Sequence, residues 1–286
     1  MNKAHLLNKA HLLNKRKARL SMVSASFCLS FVLLFAGCSD APSTNSASDS
    51  EPAAQSNDIV NQLSDEERSE GFELLFDGQS FKGWRGFNRT DVPSTWVIQD
   101  DALHMIGEAN FTQAQETDRA DIIFDEQFDN FILKLEWKIS ENGNSGIFYL
   151  GKESEEDTQY PFIWLTAPEM QVLDNDGHPD ASKGKEGNRQ AGSLYDLVPA
   201  VPQNAKPVGQ WNEVEIHVQN RSVKHIQNGE VVVEYSMDTP QWEAMIADSK
   251  FPGLNPTWSK VPQSGFIGLQ DHSDPVWFRN IKLKRL

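Results

Sequence analysis

Phe131-Ile132-Leu133-Lys134-Leu135-Glu136-Trp137-Lys138-Ile139 alternates apolar and mostly charged side chains without a break. Phe131, Leu133, Leu135, Trp137 and Ile139 point one way; Ile132, Lys134, Glu136 and Lys138 point the other. An uninterrupted period of two reads as a half-buried β-strand rather than a helix. The same texture recurs on either side of this stretch. Val214, Ile216 and Val218 oppose Glu213, Glu215 and His217, and Asn228-Gly229 sits between Val223–Ile226 and Val231–Tyr235 as a two-residue hairpin signal. Further strands are expected near Glu73–Phe76, Trp96–Ile98, Leu103–Ile106, Ile122–Phe124, Gly146–Leu150, Glu169–Leu173 and Ser193–Leu197. With one short helix signalled by the capping box Ser64-Asp65-Glu66-Glu67, this predicts an all-β chain folded as an antiparallel two-sheet sandwich.

The N-terminal part has a different character. Residues 1–19 carry Lys3, Lys9, Lys15, Arg16, Lys17 and Arg19 and no acid, and an apolar run then closes on Ala36-Gly37-Cys38. Basic, apolar and small residues in that order read as a secretory signal over residues 1–37, and a cysteine directly after Ala-Gly resembles a bacterial lipobox. The expectation is cleavage before Cys38, lipidation of its thiol, a disordered tether over residues 38–63 and a folded domain over 64–286. That puts the domain outside the cytoplasm, lipid-anchored at the bacterial cell envelope. The only other cysteine is Cys28, inside the signal, so disulfides, thiol nucleophiles and cysteine-ligated zinc are excluded for the domain. Removing residues 1–37 takes away six basic residues and leaves 20 against 41 acidic, a charge of −21. Nucleic acid is therefore not an expected partner; a neutral or cationic ligand, or a bound cation, suits such a surface.

Polar side chains placed among apolar ones mark a candidate site. In Gly265-Phe266-Ile267-Gly268-Leu269-Gln270-Asp271-His272, Phe266, Gly268, Gln270 and His272 share one strand face. In Glu169-Met170-Gln171-Val172-Leu173-Asp174, Glu169 and Gln171 share a face while Met170 and Val172 pack beneath. A carboxylate in an otherwise apolar strand is costly without a purpose. Two long segments, Asp174–Ala191 and Thr239–Gln263, exceed what a hairpin needs and are expected to carry function at the sandwich rim. Trp84, Trp96, Trp137 and Trp211 read as core; Trp242, Trp258 and Trp277 are the candidates for stacking on a ligand.

Several phrases together resemble one family. They are Gly71-Phe72-Glu73-Leu74-Leu75-Phe76-Asp77-Gly78 with Gly83-Trp84, Asn144-Ser145-Gly146-Ile147-Phe148-Tyr149, Glu169–Asp174 with His178, and Ala191-Gly192-Ser193-Leu194-Tyr195-Asp196. Trp211-Asn212-Glu213, Asn228-Gly229 and the C-terminal Gly265–His272 stretch followed by Phe278-Arg279-Asn280-Ile281 complete the set. In order from about residue 68 to 286, the chain resembles the 3-keto-disaccharide hydrolase domain family. The resemblance implies a concanavalin A-like, glucanase-like jelly roll that acts on glycosides whose C3 hydroxyl has been oxidised to a ketone. Such chemistry needs a base, an acid and a group to hold a developing enolate. Glu169, His272 and Asp174 are the expected acid/base residues; Asn144, Gln171, Tyr195 and Gln270 are expected to bind the sugar, and Arg279 to hold the enolate oxygen. Glu169, Asp174, His178 and His272 form an oxygen and imidazole set that a divalent metal cation could use. Two residues have an equally good structural reading: His272 as a loop-stabilising hydrogen bonder and Arg279 as the partner of an acidic neighbour. Two other functions stay open. Glu169-x-Gln171-x-x-Asp174 echoes the Glu-x-Asp-x-x-Glu signature of jelly-roll laminarinases and lichenases, though with Gln and Asp in place of two acids. A non-catalytic surface glycan-binding module would use the same polar face.

Overall fold

The computed structural model describes residues 60–153 and 160–286, all within the compact unit Ser56–Leu286. The expected signal, Cys38 and the tether as far as residue 59 lie outside the described residues. Helix α1 (Asp65–Glu70) forms at the expected capping box: Ser64 Oγ accepts from Glu67 N at 3.1 Å, and Glu67 Oε2 accepts from Ser64 N at 2.9 Å. Gly71 closes it at φ 87°, a left-handed turn that suits glycine.

Strands follow in quick succession. They are β1 (Phe72–Leu74), β2 (Trp84–Gly86), β3 (Trp96–Gln99), β4 (Ala102–Met105), β5 (Ile122–Phe128), β6 (Phe131–Ile139) and β7 (Asn144–Gly151). The second half adds β8 (Glu169–Leu173), β9 (Asn212–Gln219), β10 (Ser222–Gln227), β11 (Glu230–Ser236), β12 (Gly265–Leu269) and β13 (Val276–Arg285). All pair antiparallel, in two sheets. One runs β11-β10-β9-β6-β13-β4-β3, with β1 also on β13; the other runs β2-β5-β12-β7-β8. The expected two-sheet sandwich is the observed fold. Asn228 (φ 50°) and Gly229 (φ 83°) make the β10–β11 turn with both central residues left-handed, as a two-residue hairpin requires.

The alternation of β6 sets the core. Phe131, Leu133, Leu135, Trp137 and Ile139 are all buried and meet Ile147 and Tyr149 of β7, Met170 and Val172 of β8, and Ile267 and Leu269 of β12. Each strand of the smaller sheet thus commits one face to the sandwich interior. A second, smaller cluster of Phe148, Phe266, Ile123, Phe87, Ile163 and Ala167 covers part of that sheet's opposite face.

Three expectations need correction. Ser193–Leu197 is not a strand: Leu194 makes only isolated bridges to Met170 and Val198, because Gly192 (φ 84°) and Asp196 (φ 63°) turn the chain at both ends. Thr239–Gln263 contains helix α2 (Pro240–Ala247), opened by Thr239 Oγ1 accepting from Trp242 N at 3.1 Å and by Pro240 in its first turn. Trp242 and Trp258 are 1% and 3% exposed, so neither is a ligand platform; Trp242 stacks between Tyr235 and Trp258, and Trp258 lies against Phe251.

Candidate functional site

On the face of the five-stranded sheet turned away from the core, the register brings separate sequence segments side by side. Glu169 pairs across from Phe148, Gln171 from Gly146, and Gly268 from Phe148. Gln270 joins the same row through its N–H, which donates to Gly146 O at 3.0 Å. Asn144, Glu169, Gln171 and Gln270 are therefore neighbours, and all four are buried. Ile163 covers Gly268, so the apolar half of this face is closed and the polar half remains.

Glu169 lies flat across Gly146. A Cβ on residue 146 would sit 2.7 Å from Glu169 Cδ and 2.8 Å from its Cγ, closer than real contacts allow, so the glycine makes room for the carboxyl. The Gln171 carboxamide, oriented to satisfy both its ends, donates to Glu169 Oε1 at 3.2 Å and to Ser145 O at 2.8 Å. Burial holds the Glu169 pKa well above the ordinary carboxylate range; the Lys250 charge opposes that rise, while Asp121, Asp180 and Asp196 add to it. Burial thus favours the protonated form of this glutamate, which can then give its proton away.

The strand end beyond β12 supplies an imidazole. His272 Nε2 lies 3.4 Å from Asn144 Nδ2, and its Nδ1 lies 3.6 Å from Asp274 Oδ2. With the Asn144 amide turned so that its nitrogen faces the ring, Nε2 accepts from it and Nδ1–H faces Asp274. The His178 and His272 rings meet edge to face with centroids 6.1 Å apart, and ligand atoms of His178, His272 and Asp274 all lie within 4.8 Å of one another. Among the described residues that trio, not the expected set, is the cluster with metal-ligand spacing; Glu169 and Asp174 are outside it. His178 Nδ1 accepts from Asp180 N at 3.1 Å, which puts the proton of the neutral ring on Nε2. A cation bound at Nε2 would have to displace that proton and break the Asp180 contact.

The two long segments converge beside β8. Tyr195 N donates to Glu169 O at 3.0 Å, and Tyr195 OH donates to Asp180 Oδ2 at 2.9 Å. Arg189 binds Asp180 and Asp196, and Lys250 Nζ donates to Tyr195 OH at 3.1 Å. Behind this segment, buried His225 contacts Gly192 O through Nδ1 (3.0 Å) and Tyr149 OH through Nε2 (2.8 Å), fixing the turn that delivers Tyr195. Burial pushes the His225 pKa down to about 4, so this contact is between neutral groups. On the β5 side Asp121 accepts from Asp271 N (3.0 Å) and Ile163 N (3.3 Å), and burial followed by the Asp271 charge pushes its pKa up to about 7.

Of the residues expected from the sequence, Asn144, Glu169, Gln171, Gln270, His272 and Tyr195 are brought to one region, with His178 alongside. Asp174 and Arg279 are employed elsewhere. The Asp174 carboxylate accepts from Asn142 N (2.7 Å), Asp176 N (3.2 Å) and Gly177 N (3.1 Å), which spends its lone pairs on holding the loop after β8. Arg279 is on the other sheet, paired with Glu136 at 2.8 Å and stacked over Trp211 at 4.0 Å. Trp277, another stacking candidate, lies on that same far face against His104. Lys250, Asp180, Arg189, Asp121 and Asp274 join the site although the sequence pattern does not mark them. The first three lie in the two long segments flagged for function, but nothing in their local pattern separates them from solvent-facing charges.

Residues 71–284 match the family of 3-keto-alpha-glucoside-1,2-lyase-like domains. The 3-keto-disaccharide hydrolase of Bacteroides thetaiotaomicron is 47% identical over 232 residues, which cover 76% of this chain and 79% of that protein. Among solved structures, a candidate glycosyl hydrolase of Parabacteroides distasonis superimposes with a TM-score of 0.68 at 29% identity, covering 79% of this chain and 99% of the other. A second one from the same organism, at 22% identity and a TM-score of 0.53, shares the fold.

Proposed function

The chain belongs to the 3-keto-alpha-glucoside-1,2-lyase-like family, and from that premise we propose that it cleaves the glycosidic bond of 3-keto glycosides by acid–base elimination followed by addition of water. Membership makes it a glycosidic-bond-cleaving enzyme; the ketone requirement and the residue roles are our reading. A ketone at C3 acidifies the C2 proton. His272 Nε2 removes it, and the C–H electron pair becomes the enolate. Collapse of the enolate restores the C3 carbonyl, forms the C1–C2 double bond and expels the C1 oxygen, which takes its proton from Glu169. Water then adds: Glu169 takes a proton from it as its hydroxyl joins C1, and His272 returns its proton to C2, giving the free 3-keto sugar and restoring both residues. Asn144, Gln171 and Gln270 supply the hydrogen bonds that hold the ring.

The observation that carries this reading is a buried glutamic acid lying over a glycine in the same row as carboxamides and an oriented imidazole. No second carboxylate faces Glu169 from Asp174, which argues against the two-carboxylate route of laminarinases. Incubation with 3-keto-trehalose or a 3-keto glucoside, followed by NMR, should show the free 3-keto sugar, with the unsaturated ketone as intermediate. Cleavage of unoxidised laminarin would instead favour the β-glucan route, and calorimetric binding of an intact glycan without product would favour a binding module. The same proposal carries the domain at the bacterial envelope on lipidated Cys38, supported by the signal anatomy alone; labelled palmitate incorporation that survives Cys38→Ala would overturn it.

A further inference from the structure

Among the described residues, Lys250 is the one lysine or arginine of the two long segments beside Glu169 that forms no ion pair. Its neighbours on the same two segments are all paired: Lys183 and Arg189 with Asp180, Arg189 also with Asp196, Lys185 with Asp248, and Lys260 with Glu243. Among the described residues Lys250 makes no ion pair. Its ammonium instead donates to Tyr195 OH at 3.1 Å and lies over the rings of Tyr195 (4.3 Å), Phe251 (5.6 Å) and Trp164 (6.0 Å). The residue is exposed, yet its head is ringed by apolar surface.

The position is also built to be rigid. Lys250 is followed directly by Phe251, which stacks on Trp258 at 4.0 Å; Trp258 Nε1 donates to Trp164 O at 3.0 Å and Asn255 Nδ2 donates to Leu165 O at 2.8 Å. Tyr195 is held from its other side by Asp180, so the phenol donates there and offers Lys250 only a lone pair. One tyrosine touches both residues: its backbone N–H donates to the Glu169 backbone carbonyl and its hydroxyl accepts from the Lys250 ammonium.

We propose that Lys250 holds the negative charge that develops on the C3 oxygen of a 3-keto glycoside bound against Glu169, the role for which the sequence had suggested Arg279. The inference rests on the keto-sugar reading above. A cation held in place beside aromatic rings stabilises an enolate more than free water does, because it need not reorganise as the charge develops. Burial among the rings, together with the Arg189 charge, lowers the Lys250 pKa from the ordinary lysine range, against the pull of Asp196. Activity that needs the ammonium should then fall on the alkaline side as Lys250 loses its proton.

The test uses the full-length protein, a 3-keto glucoside, and the variants Lys250→Met and Lys250→Arg. C2-proton exchange in deuterated water and kcat/KM are followed across pH. Lys250→Met should exchange and turn over at least about 100-fold more slowly, with KM changed only a few-fold. Lys250→Arg should keep part of the rate and lose the alkaline limb, since a guanidinium stays charged throughout the accessible range. Wild-type exchange rates in Lys250→Met, or an unchanged alkaline limb in Lys250→Arg, would overturn the proposal; the second readout stands even if Lys250→Met folds poorly. Absence of both exchange and turnover in the wild type would count against the keto-sugar reading instead.

Discussion

Replacing Gly146 by alanine should disable the site while leaving the fold intact. Gly146 is in the middle of β7 with an ordinary extended backbone, so alanine meets no backbone strain there and restricts the unfolded chain, a gain of roughly 0.4–1 kcal/mol. The heavy atoms nearest to the added methyl all belong to Glu169, at 2.7 Å for Cδ and 2.8 Å for Cγ, whereas ordinary contact begins at 3.4 Å. The carboxyl must retreat by about 1 Å, a displacement that typically lowers turnover about 100-fold, or about 2.7 kcal/mol in the barrier. Initial rates on a 3-keto glucoside, measured beside thermal melting, provide the assay. Gly253→Ala is the control, because a Cβ there meets no heavy atom within 4 Å. A Gly146→Ala protein with wild-type rate and wild-type Tm would refute the placement of Glu169 in the reaction.

Other substitutions separate function from architecture. Glu169→Gln should abolish most turnover and change how stability depends on pH. The folded wild type keeps a proton that the unfolded chain releases near the ordinary value of 4.5, so its stability falls as pH rises above 4.5; the glutamine variant lacks that loss. Its Tm should exceed the wild type's at pH ~8 and converge with it at pH ~4, and parallel Tm curves in pH-resolved melts would contradict this. Arg279→Ala should cost on the order of 1 kcal/mol by denaturant titration, through the lost Glu136 pair, and leave kcat/KM unchanged. Gly229→Ala, at φ 83°, should likewise destabilise by ~1–2 kcal/mol without touching the rate, as chemical denaturation and the same activity assay would show.

Local pattern was enough to place most strands, the capped helix, the Asn228-Gly229 turn and the commitment of one strand face to the core, because a period of two fixes side-chain direction wherever a strand forms. It also placed Glu169 with Gln171 on one strand and Gln270 with His272 just past the end of β12, each pair being two residues apart. Pattern could not say that β8, β7 and β12 lie side by side in that order, and it was that pairing which gathered the two pairs with Asn144 over Gly146. Nor could it separate Arg279 from Lys250. Both are cations near apolar residues in the sequence, but strand pairing carries one to Glu136 on the far sheet while aromatic stacking carries the other to Tyr195 beside Glu169. A charge takes its role from whatever partners long-range packing leaves within a few ångströms of it, and that distance is set by tertiary structure.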